Sequence, residues 1–149
     1  MKKTQYTLLL ALGVFFSILS ACGTKAPAVV PVADRIKKSY TAESVTEGAT
    51  VVYTRTGTST KPGYSQFLLD LSSPPTVRYR AIDGTLFTGT YAIVGDTQLV
   101  LSNLTPQPTG TTGTITFTIS DLADGSVTLT RTTADPKTGN TVNIFRVKG

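Results

Sequence analysis

Strict alternation is the clearest pattern in the chain. In TGTITFTIS, Ile115, Phe117 and Ile119 fall on one side and Thr114, Thr116 and Thr118 on the other. GSVTLTRTT repeats the arrangement, with Val127 and Leu129 opposed to Thr128, Thr130 and Thr132. A period of two is that of a strand with one dry and one wet face, and a series of such strands implies an antiparallel sheet folded on itself. The same reading predicts strands over Ser39–Thr46, Ala49–Arg55, Tyr64–Leu71, Thr76–Ile82, Leu86–Val94, Gln98–Leu104, Thr112–Ser120, Ser126–Thr133 and Thr141–Lys148. Turn residues separate them, among them Glu47-Gly48, Lys61-Pro62-Gly63, Ser73-Pro74-Pro75, Asp83-Gly84, Gly95-Asp96, Asp124-Gly125 and the run Asp135 to Gly139. Asp-Gly and Gly-Asp pairs suit hairpins because both residues tolerate positive φ. Short connections favour an all-β, up-and-down meander, and closure into a barrel of about eight strands removes exposed edges. A two-sheet sandwich satisfies the same pattern.

The N-terminus departs from this pattern. Lys2 and Lys3 precede an almost unbroken apolar stretch from Leu8 to Leu19, and small residues then lead to Cys22, the only cysteine. These are the parts of a secretory signal, and the apolar stretch falls short of the roughly 20 residues a membrane span requires. The chain therefore divides into a signal peptide (1–21), a proline-bearing tether (22–33) and a β domain (34–149). Ala33 to Lys38 is expected to form a short helical turn, with Asp34 near its start and Lys37 and Lys38 near its end, as the helix dipole favours.

Leu19-Ser20-Ala21-Cys22 resembles the lipobox of bacterial lipoproteins. That resemblance implies S-linked diacylglycerol and an N-acyl chain on Cys22, with no other cofactor. A thiolate is the side-chain nucleophile best suited to S-alkylation, and one cysteine has no partner for an internal disulfide. Two or more acyl chains anchor stably, where one binds marginally. The resemblance also carries an expectation of location. Gly23 and the residues after it lack an acidic retention or export signal, which points to the periplasmic face of the outer membrane, with display at the cell surface as the alternative.

FTGTYAIVGDTQLVLSNL and TFTISDLADGSVTLTRTT, behind a lipobox, look like the small lipocalin-like lipoproteins of Bacteroidota. That likeness implies a barrel able to hold a small apolar or amphipathic ligand. The lipocalin signature has Gly-x-Trp on the first strand, packed under an Arg from the last. Here Lys38-Ser39-Tyr40 occupies that place, which leaves a cation–π pair between Tyr40 and Arg146 as the expected substitute.

Composition narrows the chemistry. Threonine makes up roughly a fifth of the chain and His and Trp are absent, a balance that favours strands. Without Lys2 and Lys3 the net charge is about +3, and the basic residues are scattered, which argues against nucleic acid. The one local cluster, Arg35, Lys37 and Lys38, reads as a solvated helix face, with anionic lipid headgroups as the other reading. No histidine base, phosphate loop or metal-ligand spacing is present, so an enzyme is not expected. Most Asp residues sit in turns where they bond their own backbone, and Asp121 with Asp124 is too small a set for calcium.

Candidate ligand contacts are polar or aromatic residues that continue an apolar row: Arg131 after Val127 and Leu129, Arg55 after Val51 and Tyr53, and Tyr53 and Tyr91 themselves. An inward Arg can grip a carboxylate, although an Arg at a strand end ordinarily snorkels to water. The competing function is a non-catalytic envelope adaptor or structural protein, its barrel filled and its outside binding another protein. Cavity volume separates the two.

Overall fold

The structure is a computed structural model, and it describes residues 28–149. The elements are α1 (Val32–Arg35), β1 (Ser39–Glu47), β2 (Thr50–Thr54), β3 (Leu68–Asp70), β4 (Thr76–Arg80), β5 (Leu86–Val94), β6 (Gln98–Thr105), β7 (Ile115–Ala123), β8 (Ser126–Arg131) and β9 (Asn143–Lys148). Each of the nine strands lies within or across a segment whose alternation predicts it. The main difference is at Pro62–Gln66, a 3₁₀ turn that occupies most of the first half of the predicted strand 64–71. Pro62 stands at its start, where a missing N–H costs nothing.

Pairing is antiparallel throughout and consecutive from β3 to β9. Closure comes from β1, which pairs with β9 from Thr41–Lys148 to Glu47–Asn143. On its other edge β1 meets β3 only at Ser39 and Tyr40, then turns to β2 from Ser44 to Glu47. The result is a closed eight-stranded barrel, with β2 as one extra strand on its wall. A barrel therefore replaces the sandwich alternative. The Gly95-Asp96 turn has φ of 57° and 56° at its two central residues, the geometry that matches strand twist in a two-residue hairpin.

The inward residues fill the barrel. Phe67, Phe117 and Phe145 are at most 2 % exposed. Phe145 stacks on Phe67 at 5.0 Å and meets Phe117 and Tyr64 edge-on at 6.0 and 6.1 Å. Tyr79 continues the network to Phe67, Phe87 and Phe117. Edge-to-face and offset contacts of this kind are the favoured aromatic geometries.

The two ends differ. At one, here the proximal end, α1 packs by Ile36, which has no exposure. Arg35 donates to the Leu122 carbonyl at 2.6 Å and Lys38 pairs with Asp124 at 2.9 Å in the β7–β8 turn. Lys37 pairs with Asp34. The basic cluster is thus engaged in fastening α1 to the barrel. The distal end carries the β4–β5, β6–β7 and β8–β9 connections.

Candidate functional site

Three charged or amide side chains point into the barrel at its distal end, and the register explains why. Glu47 ends β1 and faces Asn143 on β9. One step beyond the Thr130–Ile144 pair, Asn143 in turn lies opposite Arg131 on β8. Arg131 faces Phe117 on β7. Glu47, Asn143 and Arg131 keep the parity of the apolar positions Val45, Phe145 and Leu129, so all three are buried.

Each is held by partners from the loops. Arg131 forms an ion pair with Asp135, and the two residues are 4 % and 9 % exposed. Asp135 also caps the 3₁₀ turn Pro136–Thr138 by accepting from the Lys137 backbone N–H at 3.0 Å. Glu47 accepts from the Tyr64 hydroxyl at 2.8 Å and pairs with Lys61. The Asn143 Oδ1 accepts from the hydroxyls of Thr138 at 3.2 Å and Thr141 at 2.9 Å. Lys137 pairs with Asp83 and lies over the Phe87 ring, 5.4 Å from its centroid.

These groups perturb one another. Burial, then the hydrogen bond and negative charge of Glu47, push the Tyr64 hydroxyl well above the usual tyrosine range. Burial does the same for Tyr79, with Asp135 adding to it and Arg131 opposing. Burial works to raise the Asp83 carboxyl, but the hydrogen bonds from Lys137 and Thr85 hold it below its ordinary value. At the proximal end, burial and the neighbouring Tyr91 push Tyr40 up to about 12.

The space left inside is small. The cleft under the distal loops, lined by Tyr79, Phe87, Pro108, Arg131, Asp135 and Lys137 among others, has a volume of about 10 Å³, enough for about one water molecule. Larger hollows of about 400 and 420 Å³ lie elsewhere, one over Glu43, Asp121 and Arg146 and one among the distal connections at Thr111, Thr112 and Thr133. Among the described residues no group of three or more His, Cys, Asp or Glu is placed to share a metal.

Against this geometry the predicted site residues separate. Arg131 is inward, but it does not snorkel: its guanidinium is buried and neutralised by Asp135. Arg55 is exposed on the outside, donating to the Ala42 carbonyl at 2.8 Å and pairing with Glu43 at 2.8 Å. Arg55 lies one residue past the end of β2, opposite Glu43, where β1 has its own irregularity between Ala42 and Ser44. A separate irregularity between Val45 and Thr46 buries Val52 and Tyr53 together and leaves Val51 57 % exposed. Alternation counted from Val51 therefore gives the wrong face. Tyr53 packs against Tyr64 at 6.3 Å, and the Tyr91 hydroxyl donates to the Leu71 carbonyl at 2.8 Å; both are core aromatics. Tyr40 and Arg146 do not meet. Tyr40 is buried inside, whereas Arg146 is exposed on the outer face, because the two residues occupy opposite parities of the barrel wall. Cys22, with the signal and the first half of the tether, lies outside the described residues.

Sequence reasoning misses Asp135, Glu47 and Asn143. Asp135 reads as a turn residue, and so it is, with a second role on Arg131. Glu47 and Asn143 carried a usable signal, since both fall on the apolar parity of their strands. No protein-family model, no curated protein and no solved structure matches the chain.

Proposed function

We propose that the chain is a lipid-anchored protein of the cell envelope whose filled barrel acts as a non-catalytic adaptor, binding another protein through its distal loops. The observation that carries this reading is the packed interior. Seven aromatic rings from Tyr53 to Phe145 form one connected network, and the cleft reaching inward holds about 10 Å³. A ligand pocket for a small molecule is typically some 300–1,000 Å³. The small volume of the inward cleft favours the adaptor reading over the lipocalin-like ligand-binding mode that the sequence resemblance implies.

The anchor rests on the lipobox resemblance at Cys22. α1 opens the described fold at the proximal end, so a tether from Cys22 presents the distal loops away from the membrane. Photo-crosslinking groups at Thr109 and Thr132, both exposed on distal connections, test the adaptor reading in intact cells. A discrete protein adduct is expected, with no small molecule retained on native mass spectrometry. One apolar molecule co-purifying per chain overturns it.

Palmitate labelling tests the anchor: the wild type should incorporate label and Cys22→Ser should not. The location proposed is the periplasmic face of the outer membrane. Protease digestion of the protein on unlysed cells would contradict that side and place it on the surface.

A further inference from the structure

Two buried donors at the distal end have no hydrogen-bond partner among the described residues, Arg131 Nε and Asn143 Nδ2. They sit on neighbouring strands, at positions that face each other one step beyond the Thr130–Ile144 pair. Asn143 has no exposure and Arg131 only 4 %, so neither reaches bulk solvent. A buried donor left without an acceptor is costly, so each of these two donors calls for an oxygen. Arg131 lines the adjoining cleft, whereas Asn143 stands on the next strand outside its lining. The cleft of about 10 Å³ opens against Arg131 at this place, and a void of that size holds one water-sized group.

The charge balance defines what kind of oxygen. Arg131 is matched by Asp135, Lys137 by Asp83 and Lys61 by Glu47. Every cation around the layer already has its carboxylate, so an anion would enter with its charge uncompensated and desolvated. The apolar walls from Phe87 and Pro108 favour a neutral group for the same reason.

We propose that the distal layer of Arg131 and Asn143 is a binding site for a single neutral oxygen acceptor, supplied by a water molecule or by the carbonyl of a small neutral ligand. The site is independent of whether the barrel's outside serves as an adaptor surface. The void admits one water-sized group.

The test is NMR on the isotopically labelled full chain in detergent micelles, following the Arg131 Nε–H and Asn143 Nδ2–H₂ resonances. Arg131→Lys, which removes the Nε–H and keeps the charge, assigns the first signal. Cross-relaxation from these protons to a long-lived water is expected in the free protein, which identifies solvent as the source. Titration with N-methylacetamide reads the other source: a saturable shift of the Arg131 signal with loss of the water contact shows a carbonyl taking the place. Either result supports a neutral-oxygen site. Scalar coupling across a hydrogen bond from the Arg131 Nε to the Asn143 Cγ, with the amide turned end for end, overturns it, because the two residues would then satisfy each other. A larger shift with chloride than with the amide also overturns it, since the site would then take anions.

Discussion

Arg131 and Asp135 form the interaction in this barrel most sensitive to loss of one partner. Both are buried, so removing the carboxylate leaves a desolvated cation. Asp135→Ala is expected to destabilise the fold by about 3–5 kcal/mol, whereas the paired change Arg131→Met with Asp135→Leu recovers most of that loss. Urea denaturation of the three chains checks both values. Tyrosines set the alkaline limit. Tyr40 titrates at about 12 in the fold against an ordinary 10.0, and Tyr64 and Tyr79 are also raised. A folded value above the unfolded one means the stabilisation is complete below about pH 10 and is lost as pH rises toward 12. Tyr40 alone accounts for about 2–3 kcal/mol at most over that window. Unfolding and tyrosinate absorbance should therefore rise together above pH 10, and Tyr40→Phe should move the onset upward.

At the scale of elements, close approaches and irregularities decide the local outcome. Gly89 stands at a register shift between β5 and β6, where an added Cβ would lie 2.5 Å from the Ser102 carbonyl oxygen. Backbone has to move to make room, so Gly89→Ala should cost about 1–3 kcal/mol, read as a lower urea midpoint. α1 is four residues long, too short to persist by propensity, and it is held by Ile36, Arg35 and Lys38. Ile36→Ala should cost about 2–5 kcal/mol and open the hydrogen-bonded amides of Asp34 and Arg35 to rapid hydrogen exchange. The one strand outside the closed barrel is also protected. The Val52 carbonyl on β2 accepts from the Lys61 N–H at 3.0 Å, and Ser59 bonds both the N–H and the carbonyl of Thr54. The loop after β2 therefore covers an edge that would otherwise be free to pair with another chain.

For the molecule as a whole, the filled interior governs stability and function alike. Phe145 touches Phe67, Phe117 and Tyr64, and Phe145→Ala should cost about 3–5 kcal/mol while opening a cavity the native barrel lacks. Binding of a small apolar probe to that variant and not to the wild type, measured by calorimetry, would show that the wild-type interior is closed by packing. Alternation and turn chemistry suffice to place nine strands and their dry faces, because a period of two depends only on neighbouring residues. They also mark Arg131 as a candidate on the apolar row, but do not show that its guanidinium is buried against Asp135. The resemblance of Leu19–Cys22 to a lipobox is likewise read without a fold, being local in sequence. Parity fails wherever an extra residue enters a strand: beside Val52 it misplaces Val51, and beside Glu43, the partner of Arg55 just past the end of β2, it puts Arg55 on the wrong face. Tertiary structure alone decides barrel over sandwich, through the pairing of β1 with β9 across almost the full length of the domain. It also brings Asp135 to Arg131 and Lys137 to Asp83, since loops position these side chains by packing against one another. The volume left inside is decided there too, because it depends on how all the inward rings interlock and not on any one strand's pattern.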